Sequence, residues 1–257
     1  MARLDTVVSL PTGRAGVVAQ LDPRWKLAAV SVAVCAALVL HNLPVAMVAL
    51  VLSLATARAA CLPARWFAAR TAAALLAIAL FALPLPLIVE GPGPVWQAGP
   101  LRFSARGAEV GLLLAARALT IVTLTLTLLA TTPIESLVKA ARALGVPGLV
   151  VQVGSMTYRY LFVLSDELQR LRVAVRVRGF RNQASRHAYA TIGRVAGSLL
   201  VRSHERAERV HQAMLCRGFD GRFRTLTDFR TRAADVLAFL LTAGCAVALA
   251  AVDRIAL

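Results

Sequence analysis

At 257 residues the chain is long enough for one large domain or two small ones, but 58% hydrophobic and 16% charged residues with a mean hydropathy of +0.69 exclude an ordinary soluble protein. Its 29 basic and 13 acidic residues leave a net charge of +16, and Lys26 and Lys139 are the only lysines. A phosphate-cradling nucleotide loop ends in Gly-Lys-Ser/Thr, whereas Trp25 and Val138 precede these lysines, so the chain cannot hydrolyse ATP by that route and any ATPase must be a partner.

The opening segment, residues 1–26, mixes polar and apolar residues with Pro11, Gly13, Gly16 and Pro23. It lacks the early apolar stretch of a secretory leader, and no cleavage is expected. Four apolar tracts follow that could cross a bilayer, each approaching the roughly 20 residues that a spanning helix needs. Leu27 to Ala57 holds 31 residues and is broken by His41-Asn42-Leu43-Pro44, a turn that implies two short helices rather than one over-long span. His41 then sits at an interface rather than acting as a metal ligand. The second tract is Thr71 to Val89, ended or kinked by Pro84 and Pro86. The third, Val110 to Thr132, contains Arg117, which either snorkels to an interface or lines a protein contact. The last runs from Val236 to Val252.

Basic residues collect on the cytoplasmic side. Arg58, Arg65 and Arg70 mark one connection as cytoplasmic, while the Gly- and Pro-rich connection Glu90 to Glu109 is assigned outside. From Thr131 to Arg232 there are 18 Lys/Arg against 7 Asp/Glu, a net +11, which makes that segment cytoplasmic. The expected organisation is a cytoplasmic segment 1–26, about four transmembrane helices in 27–132, a cytoplasmic helical segment 133–232 and a last transmembrane helix in 233–257. The fold class is an all-α integral membrane protein, a transmembrane helix bundle carrying long cytoplasmic helices.

Within the cytoplasmic segment, Thr132-Pro133-Ile134-Glu135 reads as a capping box with proline at the first helical position, and Gly145 with Pro147 ends that helix. Leu137, Ala141 and Leu144 would form its apolar face. Longer helices are expected over about 150–177 and 187–216. Both finish in nearly the same words, Val177-Arg178-Gly179-Phe180 and Cys216-Arg217-Gly218-Phe219, 39 residues apart. A lone Arg-Gly here is a helix cap, glycine taking the left-handed conformation and arginine complementing the dipole. The repetition with the same Phe suggests more: a guanidinium at a helix tip is a planar fork that fits a carboxylate of a partner protein.

At these residues the chain resembles the transmembrane T component of energy-coupling-factor (ECF) transporters, in the CbiQ-like cobalt/nickel branch. The carriers are Leu21-Asp22-Pro23-Arg24-Trp25-Lys26-Leu27, Thr132-Pro133-Ile134-Glu135 with Leu144-Gly145-Val146-Pro147, Thr157-Tyr158-Arg159-Tyr160, Glu167 and the two x-Arg-Gly motifs, the second continuing through Phe219-Asp220-Gly221. Members usually carry Ala-Arg-Gly at both tips; here Val177 and Cys216 replace the alanines. The resemblance implies a non-catalytic scaffold in the bacterial plasma (inner) membrane that joins two ABC-type ATPase subunits to a membrane metal-binding substrate subunit. It implies that Val177, Arg178, Gly179, Cys216, Arg217 and Gly218 couple to the ATPases, supported by Phe180, Phe219 and Asp220. This chain would hold no cofactor: ATP and Mg belong to the partner ATPase and cobalt to the partner substrate subunit, with nickel equally compatible. Ala105-Arg106-Gly107, a third such triplet, lies in the external connection and is assigned to chance.

Two other classes share some of these features. A nucleic-acid binder would also be arginine-rich, but these arginines lie among long apolar runs without interleaved stacking aromatics, so no nucleic acid is expected. A membrane-embedded metal-dependent enzyme could use the helix from His204 to His211, where Glu205 and Glu208 also lie, although intrahelical Glu/Arg pairing explains the same pattern. Cys35, Cys61, Cys216 and Cys245 are scattered singly, so neither disulfides nor a metal centre is expected. The charge asymmetry predicts five crossings with Met1 inside and Leu257 outside. A cysteine placed at position 257, in a background without the native thiols, should react with an impermeant maleimide in intact cells; reaction only after permeabilisation would refute this topology.

Overall fold

The computed structural model describes residues 16–88, 95–98, 101–181, 183–221 and 231–255. Met1, Leu257 and the stretch 222–230 therefore lie outside the described residues. The helices are α1 (Pro23–Val39), α2 (Leu43–Ala59), α3 (Ala64–Ala82), α4 (Leu85–Ile88), α5 (Ala105–Thr131), α6 (Ile134–Ala143), α7 (Gly148–Val177), α8 (Arg186–Cys216) and α9 (Ala233–Ile255). The expected helical architecture holds with one addition. Inside the connection assigned outside, β1 (Val95–Ala98) and β2 (Leu101–Ser104) pair antiparallel with Val95 opposite Ser104.

By length and composition α3, α5 and α9 can each cross a membrane, and α2 is a shorter apolar helix. The helix ends explain where the spans depart from the apolar tracts. Pro63 is the N-cap of α3, so this helix starts before Arg65 and takes both Arg65 and Arg70 into its first turns. Ser104 caps α5, its hydroxyl accepting from the Gly107 amide at 3.4 Å, so α5 starts five residues before Val110. Between α1 and α2 the chain breaks at residues 40–42, as the His-Asn-Leu-Pro turn predicted.

The described residues divide into two compact units, 16–144 with 231–255, and 145–221. In the first, α5 is the central element, packed by α1, α2 and α3. Its inward side carries small and hydroxylated residues, Gly111, Ala116, Thr120, Thr123 and Thr127, all buried. The hydroxyls are satisfied locally: Thr120 donates to the Ala116 carbonyl at 2.8 Å, Thr127 to Thr123 at 2.7 Å, and Thr123 meets the Ser53 hydroxyl at 2.8 Å. Without water to compete for these groups, small side chains and internal hydrogen bonds let membrane helices approach closely. Leu40, Ala46 and Ala116 form the buried centre, with Val45, Ala49 and Leu113 against it.

Helix α9 lies along α1, although the two are separated by nearly the whole chain. A buried carboxylate fastens each end. At the start, Asp235, 2% exposed, accepts from the Asp22 amide at 2.9 Å and the Arg232 amide at 2.7 Å. Trp25 packs against Phe239 with the rings tilted by 58° and their centroids 5.2 Å apart. Lys26, 7% exposed, donates to the Ala19 carbonyl at 3.2 Å and to the Thr132 hydroxyl at 3.5 Å, with Asp235 and Asp22 acting on its charge. At the other end Asp253, fully buried, accepts from the amides of His41 at 2.7 Å and Asn42 at 2.8 Å, while the Asn42 side chain donates to the Asp253 carbonyl at 3.2 Å. Arg117 is half-buried, with its Nε and Nη2 atoms enclosed and without a hydrogen-bond partner among the described residues.

Two details of the expected α6 are corrected. Pro133, not Thr132, is the N-cap and no side chain caps the helix, because Thr132 ends α5 and turns its hydroxyl to Lys26. The apolar face is shorter than expected as well: Leu137 and Ala141 are half-buried with Ala140 buried beside them where α6 meets α1, and Leu144 stays exposed.

Replacing Asp253 by Ala strips the acceptors from two turn amides, and a buried donor left unpaired costs about 1–3 kcal/mol. Thermal unfolding in detergent should show a clear fall in Tm for Asp253→Ala and a smaller one for Asp253→Asn, which keeps one acceptor. An Asp253→Ala protein that melts with the wild type would refute the clasp.

Candidate functional site: two matched helix tips

The unit 145–221 is built on α7 and α8, of 30 and 31 residues. At 1.5 Å rise per residue each is about 45 Å long. Helix α8 is started by Ser185, whose hydroxyl accepts from the Ala188 amide at 3.2 Å. The helices meet at an ion pair between Glu167 of α7 and Arg202 of α8, so Glu167 has a partner across the pair. Tyr158 packs edge-on to Phe162 at 5.2 Å within α7, and Arg159 beside it is exposed.

Each helix ends in the same hydrogen-bonded figure. In α7 the Gly179 amide donates to the Arg176 carbonyl at 3.0 Å and the Phe180 amide to the Val175 carbonyl at 3.3 Å. In α8 the Gly218 amide donates to Leu215 at 2.9 Å and the Phe219 amide to Met214 at 3.1 Å. These are two Schellman ends, which consume the last carbonyls and require a left-handed residue directly after the cap. Gly179 at φ 81° and Gly218 at φ 77° fill that position. Arg178 and Arg217 are the C-caps, each at a helix end where the dipole is negative.

All of the expected coupling residues fall on these two tips. Val177, Arg178, Gly179, Cys216, Arg217, Gly218 and Asp220 are exposed, and Phe180 and Phe219 are half-buried. The surroundings are unusually apolar for surface helices: Val177 is 82% exposed, and Leu149, Val150, Val153, Leu161, Val173, Leu200, Val201 and Leu215 are exposed as well. The capping account and the docking account are thus compatible, because the motif that closes the helix leaves its arginine exposed.

The third triplet differs in kind. Arg106 and Gly107 lie in the first turn of α5, not at a helix end. Gly107 is needed for close packing there, since a Cβ would come within 2.7 Å of the Leu85 carbonyl oxygen and the Pro86 Cα. The His204 to His211 helix shows a solvated pattern: His204 Nε2 and Glu208 Oε1 are 3.5 Å apart one turn on, Arg209 and Glu205 3.9 Å, all well exposed. Among the described residues no group of three His, Cys, Asp or Glu side chains is placed to hold a metal ion. Sequence reasoning missed Asp235 and Asp253, which carry no local motif.

The left-handed backbone makes both tip glycines sensitive to substitution without any steric clash, since nothing lies within 4 Å of a Cβ at either one. Forcing an L-residue into that conformation costs about 1–2 kcal/mol. In Gly179→Ala and Gly218→Ala, amide exchange of the last helical turn should accelerate roughly ten-fold. Unchanged protection would show that the ends close in another way.

The comparisons with known proteins agree on one family. The family described as cobalt transport protein, CbiQ, matches residues 15–227. The cobalt transport protein CbiQ of Rhodobacter capsulatus is 29% identical over 122 residues, 48% of this chain and 50% of that one. The nickel permease LarQ of Lactiplantibacillus plantarum is 30% identical over 143 residues, 56% and 49% of the two chains. An uncharacterized protein of Methanocaldococcus jannaschii is 33% identical over 135 residues, 52% and 50%. The chain spans about half the length of the curated relatives it matches. Since the family match runs from before α1 to beyond the second tip, the chain belongs to the CbiQ cobalt transport protein family.

Proposed function

We propose that the chain is the membrane energy-coupling subunit of an ECF-type ABC importer for divalent cobalt or nickel. The observation that carries this reading is the matched pair of Schellman-ended helices, each bearing an exposed arginine at its tip. A helix about 45 Å long is stiff enough to transmit displacement, and a guanidinium fork at its tip grips a carboxylate with directional hydrogen bonds. Two such tips suit two ATPase subunits. The exposed apolar residues along α7 and α8 suit burial against partners, since surface helices of this composition otherwise favour aggregation.

On this reading the partner ATPases bind ATP and Mg, and a membrane substrate subunit binds the metal. Closure of the ATPases moves both tips, and α7 and α8, joined at Glu167 and Arg202, convert that motion into a tilt of the substrate subunit. The chain itself performs no chemistry. The unit 145–221 acts on the cytoplasmic side of the plasma membrane, where its arginines accord with the basic bias of cytoplasmic segments. The names of the related cobalt and nickel proteins support the choice of cargo.

Truncating one partner of a buried, hydrogen-bonded charge pair costs about 2–5 kcal/mol. Arg178→Ala or Arg217→Ala should therefore weaken co-purification of the ATPase, and Arg178→Glu with Arg217→Glu should abolish both co-purification and metal uptake by cells. Arg→Lys should restore part of each, because ammonium keeps the charge and loses the fork. Arg106→Ala and Arg186→Ala should have little effect. Normal ATPase recovery and uptake in the double Glu variant would leave Arg178 and Arg217 as helix caps alone.

A further inference from the structure

The turn between α2 and α3 carries charge that the rest of the membrane unit leaves unanswered. From Leu27 to Val89 the chain contains no Asp or Glu, yet Arg58, Arg65 and Arg70 flank this one turn. Among the described residues none of the three makes a salt bridge. Arg58 and Arg65 are exposed, and Arg70 stacks over the Trp66 ring at 4.0 Å from its centroid. The Trp66 Nε1 donor is buried and has no acceptor among the described residues.

The turn holding these groups is fixed. The Ala60 amide donates to the Thr56 carbonyl at 3.0 Å and the Cys61 amide to Arg58 at 3.0 Å. Cys61 takes a left-handed φ of 51°, a conformation that a side-chain-bearing residue rarely adopts without being held there. Gly16 packs against Ala60 so closely that a Cβ would lie 2.8 Å from its backbone. Following the turn, α3 has no buried residue at all, and Leu76, Leu80 and Phe81 are 73%, 79% and 75% exposed.

We infer that the turn of Arg58, Arg65, Trp66 and Arg70 is a binding site for an anionic phospholipid, its phosphate on the arginines and an acyl chain along the bare face of α3. Charge complementarity decides the headgroup: three permanent cations that make no salt bridge among the described residues call for an anion that can accept several hydrogen bonds. The apolar continuation decides between sources, because a lipid places its phosphate at the membrane surface and its chain beside the span. An acidic segment of a partner protein would use the cations and leave the α3 face uncovered.

The test uses the full chain purified in a neutral detergent, with retained lipid counted by native mass spectrometry after addition of phosphatidylglycerol or phosphatidylcholine. The wild type should keep phosphatidylglycerol in clear preference. Each Arg→Gln at 58, 65 or 70 should lower phosphatidylglycerol affinity by roughly five-fold, the worth of one basic residue near an anionic surface. The triple Gln variant should lose the preference, the triple Lys variant should keep most of it, Trp66→Leu should weaken it, and Arg106→Gln should not change it. Should the triple Gln protein fail to fold, the single variants decide. Equal retention of both lipids by the wild type, or undiminished phosphatidylglycerol on folded Gln variants, would overturn the site. Inorganic phosphate that displaces the lipid at millimolar concentration would instead assign a free-anion site. Loss of a co-purifying protein from the Gln variants with lipid retention intact would assign an acidic protein surface. Either result would overturn the lipid reading.

Discussion

The membrane unit depends on one constraint: both ends of α9 are fastened by carboxylates that bind backbone amides. Asp235 holds the entry to α1 and Asp253 holds the turn after it. They lie 18 residues apart, about 27 Å along a helix, close to the roughly 30 Å of a bilayer's hydrocarbon core. Each charge therefore sits near an end of the span, where its cost is least, and each is answered by N–H groups that would otherwise be orphaned. Binding main chain rather than side chain also makes the contact insensitive to which residues form the turn.

This closure sets what the rest of the chain can do. In sequence, residues 145–221 fall between α6 and α9, and the chain then closes the first unit by packing α9 along α1. Within that frame the packing relies on small residues and hydroxyls, Ala46, Ser53, Ala116, Thr120 and Thr123, because apolar side chains gain nothing from leaving lipid for protein. Lys26 illustrates the economy of the arrangement. It is buried and donates to the Ala19 carbonyl before α1 and to the Thr132 hydroxyl after α5, so one ammonium ties the entry of α1 to the end of α5.

The long helices follow a different logic. Their apolar residues remain exposed and Glu167 with Arg202 pairs across them, which suits parts that are completed by partners. The tips are closed by hydrogen bonds of their own, so an arginine can be presented on a stiff helix end without help from a neighbouring element. The arginine turn between α2 and α3 is likewise fixed by its own backbone bonds. Both places present exposed arginines on fixed backbone, one at helix ends and one beside the exposed apolar residues of α3.

The sequence by itself determined the elements and the tips. Apolar length marked the spans, His41 to Pro44 marked the break between α1 and α2, and the repeated Arg-Gly-Phe marked both helix ends, because glycine, proline and hydrophobic runs act through the local backbone. It also separated Arg106-Gly107 from the other two triplets by place, though not by cause, since the close approach of Gly107 to Leu85 and Pro86 needs a neighbour brought near by folding. A local signal failed where a better partner existed elsewhere: Thr132 reads as a cap and instead serves Lys26. Only the tertiary structure decided that Asp235 and Asp253 matter. A lone aspartate near a helix end carries no periodic or motif signal, and its partners, Asp22, His41 and Asn42, lie more than 200 residues away in sequence, at a distance that only the closure of α9 onto α1 removes.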